Sequence, residues 1–595
     1  MMISPLKEMC FWQYCSLFLG AINIISCQSS SKEEGMIPPN VIVILSDDQG
    51  WGDLSITGNT TLQTPNIDRI GKEGALLSRF YVSPVCSPTR AEFLTGRYHT
   101  RMGVYSTSAG GEMMDLDEKT IAQVFQEAGY ATAAFGKWHN GMQFPYHPNA
   151  RGFEEYYGFC SGHWGDYFSP PLDHNGELVK GNGYLTNDFT DHALDFMADN
   201  KDQPFFMYVA YNTPHAPMQV PDRWWKDMVS RNLNQYTDDR FEEDTLFTKA
   251  ALAMCENIDW NVGRILDQLD ESKLAENTII LYFSDNGPNS YRYNAGFKGR
   301  KGSIDEGGVR SPFLIRYPGN IPEGIEVSAL SGAIDLLPTL ADFSGIEVST
   351  EKKLDGVSLK SVLTNSASPE DRYLYSYWKG KAGVRTQKYL YTHQDELYDI
   401  EEDPGQRNNI TEDDALKGEM EGLLTAWVNK VESEQNIEER PFPLGHPAAE
   451  ITQMPARDGI AHGGIQRSNK YPNCSFFTNW KKLEDRVTWD VNVWESGIFE
   501  VELYYTCPSE DTGATVQLSI GEQSLKYQVE EAHDPPLRGM ENDRVQRPES
   551  YVKDFKKVSM GTIQLDGGRG VLELKAMDIP GESVMDFRLL VFRKI

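Results

Sequence analysis

Basic residues are scarce in this 595-residue chain, which has 56 lysines and arginines against 87 aspartates and glutamates and a formal net charge of −31. This acidic excess argues against binding along nucleic acid or an anionic membrane surface, because both would repel it. An anionic substrate would need a local pocket of positive charge. Most of the excess is expected on a solvated acidic surface suited to a salty medium.

Cysteine is also rare, and eight residues in a chain of this length do not make a disulfide scaffold. Cys10 and Cys15 lie in the N-terminal apolar segment. Five cysteines fall in the body of the chain: Cys86, Cys160, Cys255, Cys474 and Cys507. Either Cys86 serves chemistry while Cys474 pairs with Cys507, or all five are reduced core residues.

The N-terminal apolar stretch, residues 11–25, is too short and too interrupted to predict a membrane span, and with Lys7 before it, it is typical of a secretion signal. Ile24-Ile25-Ser26-Cys27 resembles the bacterial lipobox, in which cleavage precedes a cysteine that then receives lipid. We expect a signal peptide over 1–26, a lipidated Cys27 and a tether over 27–37, with a soluble exported protein as the alternative. The implied location is the periplasm or outer membrane of a Gram-negative bacterium, with the lipid anchor as the membrane contact.

Four short apolar runs end abruptly in polar residues, and helical patterns near residues 120–129 and 242–274 lie between them. The polar ends are Asp47-Asp48 after VIVIL, Lys137 to His139 after ATAAF, Asn212 to His215 after PFFMYVAY, and Asp285-Asn286 after TIILYF. Strands that alternate with helices predict an α/β sheet. Because ligand groups gather beyond the carboxyl ends of such strands, we expect the four ends to meet in one crevice.

The oxygen-rich side chains at two of these ends predict a cation site. Asp47, Asp48, Asp285 and Asn286 offer carboxylate and amide oxygens, which suit calcium or magnesium rather than zinc. The alternative is local structure, since Asp-Asp also caps helices and Asp-Asn-Gly also forms hairpin turns.

The segment CSPTRAEFLTG predicts a loop that enters a helix, because Pro88 favours a first helical turn. Cys86 then lies at the helix N-terminus, whose free N–H groups and dipole attract negative charge. Arg90 adds a fixed cation one turn later. A nucleophile held there beside a metal would face an anionic substrate.

Cys86 to Arg90, followed by Thr95-Gly96, matches C-x-P-x-R-x-x-x-x-T-G, so the chain resembles the type I sulfatases of the alkaline phosphatase superfamily. Further landmarks of that family occur in order: Gly52-Asp53, Gly136 to His139, His215 to Pro217, Asp285 to Gly287, Lys301, and Glu306 to Arg310. The resemblance runs from about residue 40 to the 430s. Lys298 and Arg300 flank Lys301, but Lys301 has the family spacing to Glu306.

The resemblance implies that a maturase oxidises Cys86 to formylglycine, whose hydrate attacks sulfur. It implies one Ca²⁺, with Mg²⁺ as the alternative, on Asp47, Asp48, Asp285, Asn286 and the group made from Cys86. Arg90, Lys137 and Lys301 would neutralise the sulfate oxygens. His215, assisted by Lys301, would protonate the leaving alcohol, and His139 would help to release sulfate from the adduct.

The resemblance also implies an alkaline-phosphatase-like mixed sheet flanked by helices over 38–366 and a small α+β subdomain over 367–436. Alternating apolar residues after a proline-rich bridge predict a β-sandwich over 441–595. This segment resembles carbohydrate-binding modules. Trp480, Trp489 and Trp494 would form either a sugar-stacking platform or part of its core.

Together these features predict a sulfatase (a sulfuric ester hydrolase) acting on an extracellular sulfated polysaccharide or its oligosaccharides, of the ulvan, carrageenan or fucoidan type. Host glycosaminoglycans are an alternative substrate. A phosphonate or phosphate ester hydrolase of the same superfamily is an alternative activity, and a glycan-binding lipoprotein without catalysis is a third hypothesis.

Overall fold

The computed structural model describes residues 38–237, 239–365, 371–435 and 440–595. The predicted signal peptide, the tether and Cys27 lie outside these residues. No helix within the described ranges is long and apolar enough to cross a membrane.

A ten-stranded mixed sheet forms the centre of the N-terminal part, which confirms the predicted fold class. Five parallel strands lie side by side at its middle in the order β5-β1-β4-β2-β3. Their bounds are β1 Asn40–Ser46, β2 Ala131–Lys137, β3 Glu155–Phe159, β4 Phe205–Ala210 and β5 Thr278–Ser284. The sheet is completed by Phe313–Arg316, Ala75–Leu77 and Ile325–Val327 beyond β5, and by Pro171–His174 and Glu177–Lys180 beyond β3.

Both faces of this sheet are buried, which explains why its strands are almost continuously apolar. In β1, Ile42 and Ile44 pack in one hydrophobic core, whereas Val41 and Val43 pack in the other. The first face is covered by Pro65–Lys72, Leu185–Asp199, Asp222–Ser230 and Thr245–Glu271. The second is covered by Cys86–Thr95, Ile121–Glu127, Leu336–Phe343 and Lys360–Leu363.

A smaller unit follows the main sheet in the chain, where the resemblance implies a small α+β subdomain. Its antiparallel strands are Leu374–Trp378, Lys381–Arg385, Tyr389–Thr392 and Leu397–Asp399, and its helix is Asp414–Glu434. Ala382 and Val384 of the sheet pack against Met420 and Leu424 of the helix. The remaining short elements are Phe80–Tyr81, Arg310–Ser311, Ser331–Gly332 and the helical turn Glu306–Val309.

The C-terminal part consists of two six-stranded sheets around one core. Val487, Trp489 and Val491 face this core from one sheet, and Val501 and Leu503 face it from the other. The first sheet contains Phe442–Leu444, Ile460–His462, Arg486–Val493, Thr515–Ile520, Gln523–Gln528 and Gly568–Asp578. The second contains Ile451–Pro455, Gln466–Arg467, Phe477–Thr478, Gly497–Thr506, Lys556–Leu565 and Asp586–Lys594.

The tryptophans of this β-sandwich divide between core and surface. Trp480 and Trp489 are 0% and 1% exposed, so both are core residues and the stacking-platform interpretation is wrong for them. Trp494 is 44% exposed and lies against His446, with 4.9 Å between the ring centroids.

Cys86, Cys160, Cys255, Cys474 and Cys507 are buried and unpaired. The pairing of Cys474 with Cys507 is therefore not formed. Cys474 instead donates a hydrogen bond through Sγ to the carbonyl oxygen of His163, at 3.2 Å.

The β-sandwich is joined to the sheet domain by buried polar contacts as well as by the chain. The Gln219 side chain donates to the carbonyl oxygen of Gly539 at 2.8 Å and to Asp543 at 3.0 Å. Arg457 donates to Ser161 Oγ at 2.7 Å, and Arg544 donates to the carbonyl oxygen of Val220 at 2.6 Å. These contacts fix one wall of the cavity described next.

Candidate active site

The polar residues at the ends of four parallel strands meet at one edge of the sheet, as their sequence positions predict. Asp47 and Asp48 follow β1, and Asp285 and Asn286 follow the neighbouring β5. The amide of Asp48 donates to Asp285 Oδ1 at 3.2 Å. Asp48 and His139 have positive φ angles of 66° and 72°, in the left-handed region that aspartate and histidine enter more readily than most other non-glycine residues.

Three oxygen atoms of the predicted cation cage lack hydrogen-bond partners although they are buried: Asp47 Oδ1, Asp48 Oδ2 and Asn286 Oδ1. The Asn286 amide nitrogen donates to Asp48 Oδ1 at 2.8 Å, which leaves the Asn286 oxygen as the free acceptor. Burial, with the charge of Asp285, raises the pKa of Asp47 to about 7. A hard divalent cation would pair with these unpartnered buried oxygens and would favour the ionised form of Asp47. These residues therefore fit the predicted metal.

Three cationic side chains compensate the carboxylates. Arg90 is 0% exposed, and its Nε and Nη2 both donate to Asp285 Oδ2, at 3.0 and 2.7 Å. Lys137 Nζ lies 2.6 Å from Asp47 Oδ2, and Lys301 Nζ lies 2.5 Å from Asp48 Oδ1. Arg90 and Lys137 therefore sit behind the carboxylates, whereas Lys301 lines the open cavity.

The neighbours of Lys301 do not take part in this network. Lys298 pairs with Glu396 at 3.3 Å and Asp305 at 3.4 Å, and Arg300 donates to the carbonyl oxygen of Asn289 at 2.9 Å. Of these three side chains, Lys301 therefore lies beside the carboxylates of the predicted cation site.

Cys86 begins the helix Cys86–Thr95 and lies at the floor of the site, 3% exposed. Its Sγ is within 4.8 Å of carboxylate oxygens of Asp47 and Asp285. Burial raises the pKa of the Cys86 thiol, although Lys137 and Lys301 act in the opposite direction. A thiol in this state is poorly suited to react as a thiolate.

The two predicted catalytic histidines use opposite ring nitrogens for their hydrogen bonds to the backbone. His139 donates through Nε2 to the carbonyl oxygen of Thr107 at 2.9 Å, and its buried Nδ1 has no partner. Burial, with the charge of Lys137, lowers the pKa of His139 well below its usual value, so the ring is neutral and Nδ1 is a proton acceptor. His215 donates through Nδ1 to the carbonyl oxygen of Ala216 at 2.6 Å.

His215 Nε2 lies 3.6 Å from Asp48 Oδ2 and lines the cavity. Burial lowers the pKa of His215 to about 3, and Lys301 and Lys137 add to this effect while Asp48 opposes it. Burial acts to raise the pKa of Asp48, but the charge and hydrogen bond of Lys301 and the hydrogen bond from Asn286 oppose it, and that pKa lies below its usual value. Asp48 is thus an anion that lies beside Lys301 and His215 and is also one of the predicted cation ligands.

The cavity above Cys86 has a volume of about 400 Å³ and is lined by several residues that were not predicted to belong to the site. His163 accepts at Nδ1 from the Asn473 amide, at 3.2 Å, and stacks on His215 with 5.8 Å between the ring centroids. Its Nε2 is buried without a partner. The other unpredicted lining residues include Trp378, Lys379, Tyr471, Asn473 and Glu549.

One of these residues follows a pattern visible in the sequence. His163 lies four residues beyond β3. If EYYGF is taken as a further strand, the expectation that polar residues after the strands line one crevice also covers His163. Asn473 and Glu549 come from the β-sandwich, more than 160 residues after the last predicted catalytic residue, and no local motif marks them.

Comparison with known proteins defines the class. A family model described as "Sulfatase" matches residues 39–346, and one described as "N-sulphoglucosamine sulphohydrolase, C-terminal" matches residues 300–433. The chain belongs to the sulfatase family.

Among its relatives, the N-acetylgalactosamine-6-sulfatase of Canis lupus familiaris is 32% identical over 360 residues, which cover 54% of this chain and 65% of that protein. Arylsulfatase G of Rattus norvegicus is 30% identical over 411 residues, covering 60% of this chain and 74% of that protein. The chain thus spans 65% of the length of the N-acetylgalactosamine-6-sulfatase that it matches.

Solved structures show the same similarity. The protein Ps i-CgsB, in complex with k-i-k-neocarrahexaose, is 30% identical with a TM-score of 0.60, over 67% of this chain and 94% of that one. A protein in complex with its substrate D-glucosamine-2-N,6-O-disulfate is 25% identical with a TM-score of 0.55, over 68% of this chain and 100% of that one.

Proposed function

We propose that this chain is an exported sulfatase that hydrolyses sulfate esters on sugars of an extracellular polysaccharide or its oligosaccharides. The observation that carries this proposal is the cavity lined by Cys86, Asp48 and the cationic Lys301, with buried carboxylates of Asp47 and Asp285 within 4.8 Å of the Cys86 sulfur. Relatives named for N-acetylgalactosamine-6-sulfate and a neighbour bound to neocarrahexaose support a sulfated sugar of galactose configuration. Carrageenan-type sugars are our first candidate, and a galactosamine-containing glycosaminoglycan is the second.

Asp47, Asp48, Asp285 and Asn286 would hold one Ca²⁺, or Mg²⁺ in its place, together with the group made from Cys86. When bound, the cation would polarise the sulfate and lower the pKa of the attacking hydroxyl. We propose that a maturase converts Cys86 to formylglycine, whose hydrated form supplies that hydroxyl. The match of Cys86 to Arg90 and Thr95-Gly96 to the family motif supports a modified residue here.

The cationic residues would have separate tasks. Arg90 holds Asp285 through two hydrogen bonds, so we assign it to orienting that ligand and adding positive charge behind the sulfate. Lys137 supplies charge from the same side, beside Asp47. Lys301 lies in the cavity wall, where its ammonium group can contact a sulfate oxygen directly.

The histidines would move the protons. His139 is neutral with a free Nδ1, so it can accept the proton whose removal ends the reaction cycle. His215 and Lys301 lie on the wall of the cavity, and we assign proton donation to the leaving alcohol to this pair. A bound sulfate beside His215 would favour its protonated form, which burial otherwise disfavours.

The first test is sulfate release, measured by ion chromatography, from desalted carrageenan, ulvan, fucoidan and chondroitin sulfate fragments. The protein is co-expressed with a maturase, and peptide mass establishes the aldehyde at position 86. Release from one polymer is the expected result. A matched phosphate ester cleaved in preference to the sulfate ester would favour the phosphoesterase alternative, and glycan binding with no turnover would favour the binding-only hypothesis.

We also propose export as a lipoprotein anchored through Cys27, on the sequence Ile24-Ile25-Ser26-Cys27. Metabolic labelling with a radioactive fatty acid is expected to label the protein, and Cys27→Ala is expected to abolish the label.

A further inference from the structure

The β-sandwich forms one wall of the active-site cavity, which a separate carbohydrate-binding module would not do. Tyr471, Pro472, Asn473 and Glu549 line the same cavity as Cys86 and the catalytic histidines. The cavity is therefore completed only when both parts of the chain are in place.

The segment that carries Glu549 is held against the sheet domain on the N-terminal side of the glutamate. Arg547 donates through Nε to Asp543 at 2.8 Å, and its guanidinium group also donates to the carbonyl oxygen of Gly165. Asp543 in turn accepts from Gln219 of the sheet domain at 3.0 Å. These buried contacts fix the position of the backbone at Glu549 relative to Cys86.

The segment with Asn473 is fixed in the same way. Its Oδ1 accepts from the Gly162 amide at 3.3 Å, and its Nδ2 donates to His163 Nδ1 at 3.2 Å. This hydrogen bond leaves the proton of a neutral His163 on Nε2, which is buried and unpartnered in a residue that lines the cavity. His163 thus offers a donor to whatever fills the cavity.

Glu549 offers the opposite chemistry. Its Oε2 is buried and has no hydrogen-bond partner, although the carboxyl lines a cavity that contains the donors Lys301 and Lys379. A buried acceptor without a partner is costly unless a ligand or water satisfies it. The hydroxyl groups of a sugar are suitable donors, whereas a sulfate or carboxylate of the substrate would be repelled.

We propose that Glu549, in the cavity that Asn473 and His163 also line, forms the subsite that selects the sulfated sugar, with its carboxylate accepting hydrogen bonds from free hydroxyls next to the sulfated carbon and rejecting a second sulfate there. This inference rests on the proposed sulfatase function. In this proposal the β-sandwich determines substrate specificity, and the preferred substrates are sugar units that carry a single sulfate.

The test uses the full, matured chain and two galactose-configured oligosaccharides, one with a free hydroxyl next to the cleaved sulfate ester and one with a second sulfate there. Wild-type protein, Glu549→Gln, Glu549→Ala and the exposed control Glu522→Gln are compared by kcat/KM for sulfate release. Thermal unfolding of each variant establishes that it is folded.

We expect Glu549→Gln to lower kcat/KM for the monosulfated sugar by about tenfold and to raise the relative rate on the disulfated sugar, so that the ratio shifts by tenfold or more. Glu549→Ala should shift the ratio in the same direction, and Glu522→Gln should leave it within twofold. A ratio within twofold of wild type in both folded Glu549 variants would overturn the inference. Absence of sulfate release by the wild-type protein from any sugar or aryl sulfate would instead overturn the proposed function.

Discussion

Glu92 lies on the helix that begins at Cys86, and replacing it with glutamine should make the protein less sensitive to alkaline pH. Glu92 is 5% exposed, and its Oε1 accepts from the neutral donors Ser83 Oγ at 3.0 Å and the His99 amide at 3.2 Å. Burial raises the pKa of Glu92 from its usual 4.5 to about 8, so the folded protein favours the protonated form.

The sign and size of the effect follow from this pKa. The stability that the protonated carboxyl contributes is complete below pH 4.5 and is lost as pH rises to about 8. A rise in pKa from 4.5 to about 8 corresponds to about 5 kcal/mol over that interval. Glutamine has the shape of the protonated acid and does not titrate, so Glu92→Gln should escape the loss.

The assay is thermal unfolding of the two proteins from pH 5 to pH 9 at one scan rate. We expect similar melting temperatures at pH 5 and an advantage for Glu92→Gln at pH 9 of roughly 5 to 10 °C, since the shift per kcal/mol decreases with chain length. Glu419→Gln, on the exposed face of another helix, is the matched control and should follow the wild type. Parallel curves for wild type and Glu92→Gln would refute the reasoning.

The remaining predictions concern the site and the architecture. Cys86→Ser should abolish multiple turnover, and continued sulfate release in steady state would contradict the formylglycine mechanism. Chelation followed by dialysis should remove activity and added calcium should restore it, so an activity insensitive to chelators would count against the cation cage. Arg90→Lys keeps the charge but loses the paired contact with Asp285, and we expect destabilisation by about 2 to 3 kcal/mol in unfolding measurements together with a strong loss of activity. Removal of residues 441–595 should give poorly soluble protein, because it exposes Met113 and Tyr146; a soluble truncated protein with wild-type activity on oligosaccharides would show that the contact is dispensable.

Much of the site could be predicted because each of its parts has a local sequence signature. Asp47, Lys137 and Asp285 each come at the end of an apolar run, and parallel strands place such ends at one sheet edge. Their convergence follows from topology and needs no knowledge of side-chain packing. The helix that begins at Cys86 is likewise predicted by Pro88 in its first turn, and it ends at Gly96, which takes the left-handed conformation (φ 69°).

The remainder depends on contacts between distant segments. Alternation in residues 487–493 predicts a sandwich strand, but it does not indicate which surface of the sandwich meets the sheet domain. The position of Glu549 depends on the contact of Arg547 with Asp543 and on the contact of Asp543 with Gln219. The second contact joins residues more than 320 positions apart in the chain. The burial of Arg90 and the position of Lys301 in the cavity lining also depend on tertiary packing.

Because the helix that begins at Cys86 is buried, a modifying enzyme can reach this segment only before the protein folds. All ten residues from Cys86 to Thr95 are buried, so no modifying enzyme could grasp this segment as an extended peptide once the sheet had closed over it. Residues 441–595, which wall off the same cavity, leave the ribosome after it. The oxidation of Cys86 that we propose would therefore have to precede folding, and the yield of active protein would depend on the relative rates of modification and folding as well as on the amount of maturase.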